Sequence, residues 1–211
     1  MLKSGIKFIL EILSPRHCAG CRKDKEVLCL QCAEVSYRFG GACVFCNQRN
    51  GTGKICNSCK RIYTPCFGQM LWVGEYKNAL KNSIWELKYK KRKELALPLA
   101  ELMHKKFLEH YPKFNKENFL IVPIPLHPEK KRDRKYNQAE LLAKEFGKLS
   151  GTEVMNNLLL KTKETTAQVE TKTKESRIKN LEGAFETRAY KGGKTIILID
   201  DVATTGATFL H

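Results

Sequence analysis

The sequence lacks the long apolar runs and cleavage sites that mark membrane and secreted proteins. No run in its 211 residues reaches the roughly 18 apolar residues that a membrane-spanning helix needs. The stretch over residues 3–13 is a poor candidate for a signal peptide, because Glu11 interrupts it and residues 14–17 offer no small-residue cleavage site. We expect instead a short amphipathic helix in a cytoplasmic protein, with one apolar face formed by Ile6, Ile9, Leu10 and Leu13.

Acidic residues are also scarce. Asp and Glu total 22 against 38 Lys and Arg, which gives a net charge of +16 and a pI near 9.5. Such a balance favours an anionic partner, either nucleic acid or a phosphorylated small molecule, without choosing between them. Hydrophobic residues make up 42% of the chain and charged residues 28%, which is ordinary globular usage and excludes wholesale disorder. At roughly 150 residues per domain, the length predicts one or two domains.

Cysteine is abundant and regularly spaced. Eight of the nine cysteines form four C-x-x-C pairs: Cys18/Cys21, Cys29/Cys32, Cys43/Cys46 and Cys56/Cys59. In a secreted disulfide scaffold the cysteines would be scattered along the chain instead. Each pair can place two thiolates on one tetrahedral metal, so the four pairs predict two closed zinc sites with a structural role. The pairs can group in chain order, as in a double zinc ribbon, or cross-braced, with the first pair joined to the third. Cys66 stands alone, and we expect it to be a small buried side chain.

The cysteine-rich segment is also basic. Its basic side chains are Arg22, Lys23, Lys25, Arg49, Lys54, Lys60 and Arg61. They could contact nucleic acid, or they could only keep a small module soluble, and the sequence favours neither interpretation.

Composition changes near residue 66, which predicts a zinc-ribbon module over 1–65 and a second domain over 66–211. Beyond that point strand-like and helix-like patterns alternate, as in an α/β fold with a parallel sheet. We predict an exposed, mobile loop over 161–180 and a last strand buried on both faces over 194–200. The other predicted elements are a strand over 67–76, helices over 78–90, 94–110 and 137–149, and a short apolar run over 119–126.

The end of the last predicted strand has the most informative chemistry. Asp200 and Asp201 follow four consecutive apolar residues, which places two carboxylates at the edge of the sheet where ligands of α/β folds bind. Gly206 and the threonines around it can then donate hydrogen bonds to an anion. A site for a ribose 5-phosphate is predicted. The alternative is a polar turn with capping threonines. Adjacent carboxylates repel each other, however, and such a turn does not explain why two aspartates stand side by side.

This segment resembles the phosphoribosyl pyrophosphate (PRPP) signature of type I phosphoribosyltransferases. The motifs over 122–127, 132–139 and 180–185, together with the preceding double zinc ribbon, resemble the ComF branch of that superfamily, which is associated with natural competence. The resemblance implies an α/β fold of the type I phosphoribosyltransferase kind, a parallel sheet flanked by helices behind a small zinc-ribbon module. That family continues beyond the position of Thr208 with a helix that supports the phosphate loop. Since this chain ends at His211, we expect an incomplete fold with an impaired PRPP site and an exposed sheet edge.

The resemblance also assigns roles to residues. Asp200 and Asp201 would be the catalytic pair that holds the ribose hydroxyls. Gln168 and Arg177 would belong to a hood that closes over the site, and Mg2+ would bridge pyrophosphate and ribose oxygens. Binding of the 5-phosphate would involve Val202, Ala203, Thr204, Thr205, Gly206, Ala207 and Thr208. Pyrophosphate would face Pro123, Ile124, Pro125, Arg132, Arg134 and Lys135.

Taken together, these features predict a PRPP-binding, phosphoribosyltransferase-like protein acting in the uptake or processing of transforming DNA. Glycosyl transfer from PRPP is the expected chemistry, with single-stranded DNA and the competence helicase machinery as further expected partners. The alternative is a single-stranded nucleic-acid-binding adaptor that works through its zinc ribbon and keeps only a vestigial PRPP pocket.

Overall fold

The computed structural model describes residues 16–23, 26–38, 41–43, 45–46, 48–62, 67–163 and 182–203. Several predictions concern residues outside these ranges: the N-terminal helix, Cys66, most of the 161–180 loop with Gln168 and Arg177, and the phosphate-binding turn over 204–208.

Six helices and four strands form the described part of the chain. The helices are α1 (Leu30–Ser36), α2 (Asn57–Ile62), α3 (Asn78–Tyr89), α4 (Ala96–His110), α5 (Pro128–Arg134) and α6 (Gln138–Ser150). The strands are β1 (Phe119–Pro123), β2 (Leu159–Lys161), β3 (Phe185–Thr187) and β4 (Thr195–Ile199).

The helices of the second half follow their apolar periodicity. Leu80, Ile84 and Leu87 lie on one face of α3 and are buried. Helix α4 begins after a 3-10 turn over Lys93–Leu95, and Pro98 lies in its first turn, where a missing N–H costs nothing. The predicted helices are therefore formed close to their expected bounds.

Helix α6 has a well-defined start and end. The Asn137 side chain accepts a hydrogen bond from the Ala139 N–H at 3.0 Å, which caps the first turn. Gly151 adopts a left-handed φ of 68°, the conformation that commonly ends a helix. Between them Leu142 and Phe146 are buried against α4 and β1, so this helix fixes one layer over the sheet.

An α/β arrangement is confirmed, with a small parallel sheet. β1 pairs in parallel with β4, from Phe119 opposite Thr195 to Pro123 opposite Ile199. Ile121 also forms a parallel bridge to Val154, and β2 pairs antiparallel with β3 in a separate two-stranded sheet.

Two strand predictions need correction. Residues 67–76 form no strand, because their backbone bonds go to separate parts of the cysteine-rich region: the Met70 N–H donates to the Gly53 oxygen, and the Val73 oxygen accepts from the Arg38 N–H. β4 is not buried on both faces, since Ile196 and Leu198 each keep 37% of their surface exposed. Among the described residues, only β1 pairs with β4 as a strand.

The cysteine-rich region contributes to two different cores. Cys18, Leu28 and Tyr37 pack in the principal core with side chains of α3 and α4. Cys43, Phe45, Ile55 and Cys59 form a small core of their own. The first half of the region is thus built into the main body, whereas the second half has its own apolar centre.

Within the ranges that the structure describes, no helix has the length and apolar character needed to cross a membrane.

Candidate metal centres and sheet-edge site

The eight paired cysteines gather in two clusters in chain order. In each cluster, all four sulfur atoms lie within 4.8 Å of one another: Cys18, Cys21, Cys29 and Cys32 in one, and Cys43, Cys46, Cys56 and Cys59 in the other. The sulfurs of Cys18 and Cys29, and those of Cys46 and Cys56, are 3.7 Å apart. A zinc tetrahedron with Zn–S bonds of about 2.3 Å has edges of about 3.8 Å, so both clusters fit a closed four-thiolate zinc site. The structure therefore favours the sequential grouping over the cross-braced one.

In the first cluster, Cys18 and Cys32 have very different pKa values. Burial raises the pKa of Cys18, but N–H groups of Cys29, Cys21 and Gly20 outweigh it and lower that pKa to about 6. Burial, followed by the neighbouring sulfurs, raises the pKa of Cys32 to about 12. Four thiolates at this spacing repel one another, so a divalent cation is the group that lets all four be ionised together.

The same pattern recurs in the second cluster. Backbone N–H groups lower the pKa of Cys43 to about 6 against the effect of burial, and burial raises the pKa of Cys59 to about 12. Both clusters thus share one donor chemistry, although they lie in different cores.

A buried carboxylate fixes the first cluster to the main body. Glu86 of α3 is 4% exposed, and its two oxygens accept from Arg22 at 2.5 Å and from Arg92 at 2.6 Å. Arg92 also donates to the His17 backbone oxygen at 2.9 Å. Gly20 allows the close approach, because a Cβ there would lie 2.6 Å from the Cys32 sulfur and 2.7 Å from the Ala79 Cβ. Arg22, one of the cations considered for nucleic acid, is therefore engaged in holding the fold together.

The predicted sugar-binding residues lie at the carboxyl edge of the parallel sheet. Asp200 directly follows β4, and Pro123 ends β1 opposite Ile199. The Ile124 N–H donates to the Ile199 oxygen at 2.9 Å, so the two chain segments run side by side past the strand ends. The edge thus brings Asp200 and Asp201 next to the segment that begins at Pro123, as a shared ligand would need.

The two aspartates have different surroundings. Lys88 of α3 contacts Asp201 at 2.8 Å, and the Asp201 N–H donates to Asp200 Oδ1 at 2.8 Å. Burial raises the pKa of Asp200 to about 7, the charge of Asp201 adds to that rise, and Lys88 opposes it. At neutral pH, Asp200 is consequently poised between its protonated and charged forms, whereas Asp201 has a cationic partner.

The charge of Asp200 also acts on Lys161. Burial lowers the pKa of Lys161 at the end of β2, the charge of Lys130 on α5 lowers it further, and Asp200 raises it. Sequence reasoning missed Lys88 and Lys161. No motif surrounds these lysines, and only the folded chain brings Lys88 to Asp201 and Lys161 within range of the Asp200 charge.

The basic residues after β1 separate into engaged and exposed groups. Arg134 is half-buried and donates to the Gln138 side chain and the Tyr89 hydroxyl, each at 3.2 Å. Arg132 is exposed, 3.6 Å from Glu129, and Lys135 is exposed with a left-handed φ of 65°.

Buried Asn137 fixes the backbone of the segment that follows β1. Asn137 is buried and donates its amide to the Ile124 oxygen at 2.8 Å, which fixes the backbone between β1 and α6. Past the strand end on the other side, Val202 is half-buried and Ala203 is exposed.

Comparison with curated proteins identifies several relatives. Competence protein ComFC of Bacillus subtilis (strain 168) is 28% identical over 198 residues, covering 90% of this chain and 77% of the relative. Competence protein F of Haemophilus influenzae is 26% identical over 198 residues, covering 90% and 80%. DNA utilization protein YhgH of Escherichia coli (strain K12) is 26% identical over 184 residues, covering 80% of each chain. No protein-family model matches the chain. No solved structure matches it significantly. The relatives confirm the resemblance to the ComF family.

Proposed function

Because this chain is related to the ComF family, we propose that it acts in competence or DNA utilization and binds PRPP at the carboxyl edge of its parallel sheet. The relatives named for competence and DNA utilization support the first part. The motif resemblance and the placement of Asp200 and Asp201 support the second. The proposal includes single-stranded DNA and a competence helicase as macromolecular partners. It also includes the division of the chain into a zinc-ribbon module over 1–65 and a second domain over 66–211.

One observation supports the ligand class above the others: adjacent aspartates at the end of β4 lie beside the end of β1. Ribose offers two neighbouring hydroxyl donors, and a pair of carboxylates on one edge can accept from both. Lys88 neutralises Asp201, which lets the two carboxylates coexist. The 5-phosphate would then lie over the turn at 204–208, beyond the described residues.

Transfer from PRPP would need little covalent chemistry from the protein. An acceptor attacks C1 of the ribose, the bond from C1 to the pyrophosphate oxygen breaks, and pyrophosphate leaves with the bonding electrons. Lys161, whose charge interacts with that of Asp200, would counter the negative charge that collects on the leaving group. Asp200 and Asp201 offer the hard oxygen ligands that Mg2+ prefers, and the ion would supply charge neutralisation on pyrophosphate.

The zinc sites have a structural role in this proposal. Each cluster supplies four thiolates and leaves no open coordination position, so neither metal can activate a substrate. The first site instead fixes the cysteine-rich region to α3 through Glu86.

A thermal-shift titration tests the proposal. PRPP with Mg2+ should raise the melting temperature of the zinc-loaded protein, since a ligand that binds only the folded state stabilises it by mass action. Asp200→Asn and Asp201→Asn should remove most of the shift, whereas Glu153→Gln, a carboxylate near the opposite end of the sheet, should keep it. PRPP binding would be refuted by an equal shift in all four proteins. It would also be refuted if no PRPP concentration shifted the parent protein, because an impaired site should only weaken binding.

A further inference from the structure

The outward face of α3 carries an unusual stripe of side chains. Lys81, Trp85 and Tyr89 are exposed and spaced four residues apart, so they lie one above another along the helix. Trp85 keeps 43% of its surface exposed and Tyr89 keeps 56%. The opposite face of the helix already supplies the core with Leu80, Ile84 and Leu87. Core packing therefore does not explain why two large aromatic rings occupy the solvent side.

Cations from two elements lie against these rings. The Trp85 and Tyr89 ring centroids are 5.9 Å apart with an interplanar angle of 49°. Lys90 places its ammonium 5.3 Å from the Trp85 centroid, and Arg134 of α5 places its guanidinium 5.1 Å from the Tyr89 centroid. The Arg134 bond to the Tyr89 hydroxyl fixes the second ring between α3 and α5. The stripe is thus a surface of alternating rings and positive charges.

The surroundings are positively charged as well. Lys91, Arg132 and Lys135 are exposed on the segments that follow α3 and β1. The acidic residues of α3 and its C-terminal flank are engaged: Glu86 is buried between two arginines, and Glu94 accepts from Arg92 at 3.0 Å. Glu129 and Asp133 on α5 are exposed as well, but the cations around the two rings outnumber them, so this face would attract an anionic ligand.

We propose that Trp85, Tyr89, Lys90 and Arg134 form a platform for single-stranded nucleic acid. Bases stack on the two rings, and the backbone phosphates contact the surrounding cations, the combination by which proteins bind single strands without reading sequence. An acidic peptide would use the cations but would leave the rings without partners.

The ring spacing favours a single strand over a duplex. Stacked nucleotides rise about 3.4 Å along a strand, whereas the two centroids are 5.9 Å apart. Successive bases reach both rings only when the strand is extended and its bases are unstacked. In a duplex the base faces are covered by their neighbours and cannot stack on side chains.

The platform rests on the proposed function, since it names the surface that would bind the single-stranded DNA included there. Trp85, Tyr89 and Lys90 belong to the platform alone, whereas Arg134 is also expected at the pyrophosphate, and Lys88 contacts Asp201 from α3. Variants of Trp85, Tyr89 and Lys90 should therefore keep the PRPP shift, and variants of Asp200 should keep nucleic-acid binding. Failure of one proposal can thus be told from failure of the other.

Fluorescence anisotropy with labelled oligothymidylate tests the platform on the full, zinc-loaded chain. Trp85→Ala and Tyr89→Ala should each weaken binding by about 5- to 150-fold, the effect of losing one stacked base. Leu97→Ala is the matched control, because Leu97 is 45% exposed on α4 and its loss should change binding less than 2-fold. Zinc content and circular dichroism show that each variant is folded.

Two further measurements separate the rings from the charges. Lys90→Gln should lower the slope of log affinity against log salt by about 0.7, the value for one phosphate contact on a single strand, while Lys144→Gln on α6 leaves it unchanged. In a Trp72→Phe background, bound strand should quench the emission of Trp85. Equal affinity of the parent, Trp85→Ala and Tyr89→Ala proteins would overturn the proposal. So would equally tight binding of a duplex of the same length.

Discussion

Lys88 of α3 and Asp201 at the end of β4 form an ion pair, 2.8 Å between Nζ and Oδ2, that joins the helix to the edge of the parallel sheet. Only 18% of the lysine side chain and 10% of the aspartate side chain are exposed. The pair links the outward aromatic face of α3 to the proposed sugar-binding carboxylates. It also compensates a charge that would otherwise repel Asp200.

A double-mutant cycle should reveal this coupling in the free energy of unfolding. Lys88→Met leaves Asp201 without its partner, so we expect a loss of about 1–3 kcal/mol. Adding Asp201→Asn should recover part of the loss, because no unpaired charge then remains. Urea denaturation of the four proteins measures the coupling, and additive single effects would contradict it.

Asp200 should make stability fall as pH rises. Its pKa is raised from 3.8 to about 7, so between those values the folded state holds a proton that the unfolded state has lost. Its contribution is therefore greatest at low pH and is lost as pH rises through that window. Between pH 6 and pH 8 the parent should lose about 1 kcal/mol relative to Asp200→Asn.

Urea midpoints of the two proteins at matched pH values measure this difference. Glu153→Gln is the control, and it should follow the parent at every pH. A constant difference between the parent and Asp200→Asn across the range would mean that Asp200 ionises in its ordinary range.

The two zinc sites should differ in their effect on stability. Cys18→Ser and Cys43→Ser remove equally buried ligands, 0% and 1% exposed, so each should cost one zinc per chain. Cys18→Ser should also destabilise the principal transition by about 4 kcal/mol or more, since that cluster packs in the main core. Cys43→Ser should leave that transition nearly unchanged. Calorimetry with metal analysis distinguishes them, and equal losses would show that both clusters belong to one cooperative unit.

Glu86 should be among the most sensitive positions outside the cysteines. Glu86→Gln removes the charge that Arg22 and Arg92 share, but Arg92 keeps Glu94 and Arg22 is largely exposed, so we expect a cost of about 1–3 kcal/mol. Glu101→Gln, at an exposed position of α4, is the control and should cost about 0.5 kcal/mol or less. Chemical denaturation measures both, and similar losses would show that the buried cluster contributes little.

Local patterns predicted α3, α4, α6 and the cysteine clusters well, whereas the shorter helices α1, α2 and α5 were not predicted. Asn137 before an apolar stripe marked the start of α6, and the C-x-x-C spacing identified all eight paired cysteines as ligands. These signals depend on neighbouring residues only, so the sequence contains all of them. The grouping of the pairs needed the structure, because chain-order and cross-braced sites use the same knuckles.

The wrong predictions concern segments whose environment is set from a distance. Residues 67–76 have strand composition, but their bonds go to Gly53 and Arg38 and no sheet forms. The apolar run of β4 suggested burial on both faces, yet Ile196 and Leu198 are partly exposed in the described part of the chain. Lys88 could not be assigned to Asp201 from the sequence, since the 112 residues between them say nothing about their distance in the fold.

Because Cys18 lies in the principal core, the amount of folded protein should depend on the supply of zinc. A chain synthesised where zinc is scarce has four cysteines without a metal where its body needs a packed centre, and proteases remove chains that fail to fold. Zinc starvation should therefore deplete the protein in the cell even when its messenger RNA is plentiful.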